Sequence, residues 1–205
     1  MTQWTPAAVL GARPAGMITS MAGLEIDRVR FLEGEIRFDS YPFVGASVQP
    51  SGSVPANRIA SVDTHAAPPE VHTNDGETLL VSALRARELG AFAERHAIPD
   101  VQRRDVWHLI LDVYFEPPPG PENGTLLLEC GLAPPQVDAI RARVAPFMRP
   151  YVACTWFDWP HLGLYDLLDA YITCSPRSPS SEEVRETYWW AMGIAGRGDV
   201  RPPVW

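Results

Sequence analysis

The run Glu70-Val71-His72-Thr73-Asn74-Asp75-Gly76-Glu77-Thr78-Leu79-Leu80-Val81-Ser82 decides the fold class. Asn-Asp-Gly between two short runs rich in Val, Thr and Leu is a hairpin signal, because glycine reaches the positive φ that tight turns demand. Ser82 then stands at the N-cap of a predicted helix reaching about Ala97, with Leu89, Phe92, Ala93 and His96 at helical spacing. Upstream the texture stays strand-like. Leu24, Ile26, Val29 and Phe31 lead to a turn at Glu33-Gly34, after which Ile36 and Phe38 alternate with polar residues. A Pro/Gly/Ser-rich loop from Pro42 to Pro55 is expected to hold one short strand at Val44 to Val48. Ile59 to Thr64 and Glu70 to Thr73 are strands flanking Ala66-Ala67-Pro68-Pro69.

Beyond Pro99-Asp100 the period changes to that of helices. Val106, Leu109, Ile110 and Val113 recur at three-to-four spacing while Trp107, Leu111 and Tyr114 cover the other face, so this helix belongs inside. Pro134-Pro135 opens a further helix with Val137, Ile140, Val144, Phe147, Met148 and Tyr151 on one stripe. Pro146 and Pro150 predict a kink or an end near Ala145. His161 to Ile172 is helical, and Ser180 with Glu183 forms a capping box for a last helix through Trp190. Asn123-Gly124-Thr125 reads as a turn. The expectation is an α+β protein: an irregular lead-in (1–16), a β-rich sheet or barrel closed by a helix (17–98), a helical region packed on it (101–195) and an extended tail (196–205).

The chain has 205 residues, 46% hydrophobic and 20% charged, within the range of folded domains. All 17 of its basic residues are arginine. Lysine chemistry is thereby excluded: no P-loop lysine, no Schiff base, no kinase lysine. A net charge of −8 argues against a polyphosphate partner, so no nucleic acid is expected. The three cysteines, Cys130, Cys154 and Cys174, are odd in number and lack a C-x-x-C pair, which reads as reduced, mostly buried thiols. No apolar stretch is long enough to span a bilayer, and the first twenty residues lack a secretory pattern. The expectation is a cytoplasmic protein without membrane insertion, from a GC-rich bacterial gene.

The stretch Val54-Pro55-Ala56-Asn57-Arg58-Ile59-Ala60-Ser61-Val62, followed by Val71-His72-Thr73-Asn74-Asp75-Gly76-Glu77-Thr78-Leu79-Leu80-Val81, resembles the late strands of bacterial pleckstrin-homology-like domains. In those domains an I-x-x-V strand precedes I-x-T-x-D-G and a closing helix. The resemblance covers about 80 residues and implies a binding or docking module. Such domains grip inositol phosphates with basic residues between the first two strands. Here Arg28, Arg30 and Arg37 are diluted by Glu25, Asp27, Glu33 and Glu35, which argues against phosphoinositide binding.

Two clusters carry chemistry. Asp63 and His65 share one strand face, as do Glu70 and His72, and pairing through Ala66 to Pro69 would bring two imidazoles and two carboxylates together as metal ligands. The second cluster is Trp156, Asp158, Trp159 and His161, with Tyr165, Asp166 and Asp169 beyond. Paired carboxylates beside a histidine suit acid–base work, and adjacent tryptophans suit a docking partner. Arg103 and Arg104, with Arg95, form the most compact basic group and are expected to solvate the junction between the halves. The first expectation is a non-catalytic adaptor contacting another protein or itself through Trp156, Asp158, Trp159 and His161, with no catalytic residue and no cofactor. The alternative is a hydrolase-type enzyme using Asp63, His65, Glu70 and His72, or His161, Asp166 and Asp169, with or without metal.

Overall fold

The computed structural model describes residues 26–114, 120, 122–154 and 161–198. Their architecture is α+β. Strands β1 (Val29–Phe31), β2 (Glu35–Phe38) and β3 (Gly52–Pro55) form one antiparallel sheet. Strands β4 (Ile59–Asp63), β5 (Glu70–Thr73) and β6 (Thr78–Leu80) form a second. Among the described residues no ladder joins the sheets, so a closed barrel is not seen. The 3₁₀ turn Ala56–Arg58 leads from one to the other.

In the first sheet Val29 pairs with Phe38, and Ile36 with both Phe31 and Val54, which lays one apolar face on the core. The third strand lies at Gly52–Pro55 and not at Val44–Val48. Residues 43–49 instead turn twice, with Ala46 N–H donating to Phe43 C=O and Gln49 N–H to Ala46 C=O, and these turns bury Phe43, Ala46 and Val48 without a ladder. Apolar burial, not strand pairing, is what their hydrophobicity signals.

Helix α1 (Ala86–Arg95) follows a 3₁₀ turn whose cap is Ser82, its hydroxyl accepting from Leu84 N–H. It buries Leu89, Phe92 and Ala93, with the Phe92 ring 6.0 Å from that of Phe31. The Pro99-Asp100 segment is stitched to the second sheet. Val62 N–H donates to Pro99 C=O and Val101 N–H to Val62 C=O, a parallel bridge at the start of the helical half.

The helical half comprises α2 (Val106–Leu111), α3 (Glu122–Glu129), α4 (Pro134–Cys154), α5 (Leu164–Cys174) and α6 (Ser181–Ala195). Helix α2 buries every residue except His108, as the two-faced pattern predicts as far as Leu111, whereas Val113 in the 3₁₀ turn beyond it is exposed. Trp107 Nε1 donates to Ala191 C=O at 3.0 Å. Asn123-Gly124-Thr125 lies within α3 and is no turn. Helix α4 runs through both prolines. Pro146 and Pro150 lie on its exposed face, as does Ala142, so the carbonyls these prolines leave unpaired at positions 142 and 146 meet water. Helix α5 starts at Leu164 rather than His161, and α6 opens on the predicted Ser180–Glu183 capping box and extends to Ala195. Cys130 is buried, whereas Cys154 is exposed and Cys174 half-buried. The tail from residue 199 lies outside the described residues. No helix among those described is long and apolar enough to cross a membrane.

One apolar cluster joins both halves, from Ile26 to Ile194. A polar tie crosses it. The buried Glu77 carboxylate accepts from Tyr188 O–H on α6 and from Ser47 N–H, each at 2.8 Å, and Thr78 N–H points at the Met192 sulfur.

Candidate functional site

The β4–β5 hairpin sets the first part of the site. Its register pairs Asp63 with Glu70, Val62 with Val71 and Ser61 with His72. Alternation sends Val62 and Val71 into the apolar core and groups Ser61, Asp63, Glu70 and His72 on the opposite face. His72 Nε2 lies 2.8 Å from Glu70 Oε2, and His72 Nδ1 lies 3.1 Å from Ser61 Oγ. An ionised carboxylate only accepts, so with Glu70 ionised the ring proton sits on Nε2 and Nδ1 accepts from the Ser61 hydroxyl. Ser61 and His72 are buried, while the Glu70 side chain keeps 20% of its exposure. The chain Ser61–His72–Glu70 therefore ends on the carboxylate. Burial pushes the Glu70 carboxyl above its usual range, and the His72 hydrogen bond offsets part of that rise.

The helical half supplies the second pair. Asp105 is the N-cap of α2, accepting from His108 N–H at 2.9 Å through Oδ1. Its Oδ2 lies 2.9 Å from His161 Nε2. The Asp105 hydrogen bond holds the His161 imidazole above its ordinary pKa against the opposing effect of burial. The His108 ring stacks on that of His161 at 4.2 Å, and burial followed by the neighbouring His161 charge lowers the His108 pKa. Gly163 leaves room for the pair, since a Cβ there would stand 2.8 Å from Asp105 Oδ2.

Both pairs open onto one cleft of about 330 Å³, lined among others by Asp63, Glu70, His72, Arg103, Asp105 and His161. That volume suits a small molecule. Of the carboxylates, Asp63 is committed to backbone: Oδ1 accepts from His65 and Ala66 N–H, and Oδ2 from Arg103 N–H. His65 is exposed beyond the strand end, near Asp100, whose oxygens bind the Thr64 N–H and hydroxyl. Asp63, His65 and Asp100 offer ligand atoms within 4.8 Å of one another, so His65 groups with Asp100 while Glu70 and His72 pair together. Both oxygens of Asp63 and of Asp100 are already occupied by protein donors, which satisfies these groups without an ion.

Asp166 caps α5, accepting from Gly163 N–H at 2.9 Å, and Tyr151 O–H reaches it at 3.3 Å. The carboxylate bound to His161 is that of Asp105, 56 residues upstream, and not Asp166 or Asp169. Trp156, Asp158 and Trp159 lie outside the described residues. Sequence reading passes over Ser61, Asp105 and the role of Arg103. Ser61 is available from hairpin register, since pairing Asp63 with Glu70 forces Ser61 opposite His72. Asp105 carries a helix-cap signal before Val106, but nothing local announces its approach to His161. No family model matches the chain, and no curated protein or solved structure matches it.

Proposed function

We propose that the protein is a hydrolase-type enzyme using general acid–base catalysis on a small polar substrate. The observation that carries this reading is the convergence of two carboxylate–imidazole pairs, Glu70–His72 and Asp105–His161, on one cleft. Glu70 is the base: it accepts a proton from an attacking water, with His72 and Ser61 fixing its orientation from behind. His161, kept protonated by Asp105, is the acid that donates to the leaving group. Ser61 is no nucleophile, because it is buried and does not line the cleft. Environments that move a carboxyl and an imidazole away from their solution values are how one site holds a base and an acid at the same pH. The adaptor reading rests on Trp156, Asp158, Trp159 and His161, and the pairing of His161 with Asp105 at the cleft favours the enzyme over it.

A panel of p-nitrophenyl esters and phosphoesters tests the proposal. Glu70→Gln is expected to lower kcat by roughly 10²- to 10⁴-fold with the melting temperature retained. The wild-type pH–rate profile should be bell-shaped, and His161→Gln should remove its alkaline limb. Turnover that is unchanged in both folded variants overturns the proposal.

A further inference from the structure

Each carboxylate in the cleft has its own partner. Asp63 holds three backbone N–H groups, Asp105 holds His161 and the His108 N–H, and Glu70 holds His72. Among the cations, His161 is matched by Asp105, and Arg104 is matched by Glu129 at 2.8 Å and by Leu126 C=O. Arg103 is different. Its backbone N–H is used by Asp63, but its guanidinium makes no hydrogen bond or ion pair among the described residues, and its Nε is buried without any partner. This half-buried arginine lines the cleft beside both catalytic pairs. It stands where the two halves meet, on the wall of the cleft. A buried charged donor left unsatisfied costs about 1–3 kcal/mol or more, and it is the guanidinium's other nitrogens, also without an acceptor among the described residues, that a bound oxyanion would engage.

Resting on the reading of this cleft as a substrate site, we propose that Arg103 is the substrate-anchoring residue and that the substrate carries an oxyanion, a carboxylate or a phosphate. The planar guanidinium presents paired N–H donors that match two oxygens of either group. The positive charges at the cleft, the Arg103 guanidinium and the imidazolium of His161, offset part of the charge of its carboxylates for such a group. The overall charge of −8 disfavours long polyanions, which restricts the fit to a small anionic molecule.

Inorganic phosphate and acetate, each titrated at constant ionic strength into the purified full chain, test the inference through the melting temperature and the His161 ring resonances. A saturable response to one of them is expected, and which anion gives it distinguishes a phosphoryl from a carboxylate substrate. Arg103→Gln should weaken that response by about tenfold or more, and Arg103→Lys should restore part of it, because lysine keeps the charge but not the fork. Glu70→Gln should keep the response, since the proposed base does not hold the anion. Binding through Arg103 in a chain that hydrolyses nothing supports this inference while sinking the catalytic reading alone. Absence of a saturable response to either anion, or equal binding by a folded Arg103→Gln chain, overturns it.

Discussion

At the scale of single residues, the Asp105–His161 contact governs both charge and pH response. Because the folded imidazole titrates above its ordinary value, the native state binds more protons than the unfolded chain between the two. The stabilisation from this pair is therefore complete below about pH 6.5, the unperturbed histidine value, and is lost as pH rises through the raised native value. Glu70 acts in the same direction from its own range, whereas the lowered His108 gains stability with rising pH just below the histidine value. NMR titration of the two histidine ring-proton signals and of the Glu70 carboxyl carbon separates the three contributions. Gly163→Ala is the sharpest probe of the contact, since the new Cβ would meet the Asp105 carboxylate and stand 3.3 Å from His161 Nε2. Its backbone conformation is ordinary, so the damage is steric and local. The expected outcome is a fall in the His161 pKa toward its solution value. An unmoved titration curve would show that the pair tolerates the methyl group.

Among the secondary-structure elements, the hairpins were readable and the loop from Pro42 to Pro55 was not. Asn74-Asp75-Gly76 forms the predicted turn, with Gly76 at φ +86° and open space around it. Gly76→Val should therefore cost stability through backbone strain alone, about 1–2 kcal/mol, read as a lower denaturation midpoint. An unchanged midpoint would mean that the turn relaxes freely. The loop at Pro42 to Pro55 shows why the neighbouring reading failed. Phe43 and Val48 are apolar because they are buried, and a run of turns buries them as well as a strand does. Proline rules allow a kink or an end in α4, and the end is not seen. They describe the hydrogen bond a proline removes, and on the exposed face of a helix water replaces it. The β4–β5 register was within reach of the sequence, so Glu70 and His72 were candidates from the start. His161 was a candidate too, but its pairing with Asp105 depends on how α2 and α5 pack, which no periodicity encodes.

Across the whole molecule, the β-rich and helical halves share a core and a buried polar tie. Glu77 has no solvent to turn to, so Tyr188→Phe leaves its carboxylate one donor short. The expected cost is about 1–3 kcal/mol in a single cooperative transition by calorimetry. Residues 101 to 205 alone should show no transition near that of the full chain, because Tyr188 and Met192 on α6 and Tyr165 on α5 would lose Glu77, Thr78 and Phe43, which they meet across the halves. A cooperative melt of the isolated segment close to that temperature would refute the shared core. Residue patterning made the α+β arrangement readable, and composition the exclusion of lysine chemistry. The cleft was not readable, because its walls come from the two halves. Glu70 and His72 ride on β5, while Asp105 and His161 stand at the entrances to α2 and α5. That division has a consequence for descent. A gene fragment encoding either half alone inherits one carboxylate–imidazole pair and one wall of the cleft, so shuffling the halves among other proteins would transmit the scaffold and leave the two-pair site behind.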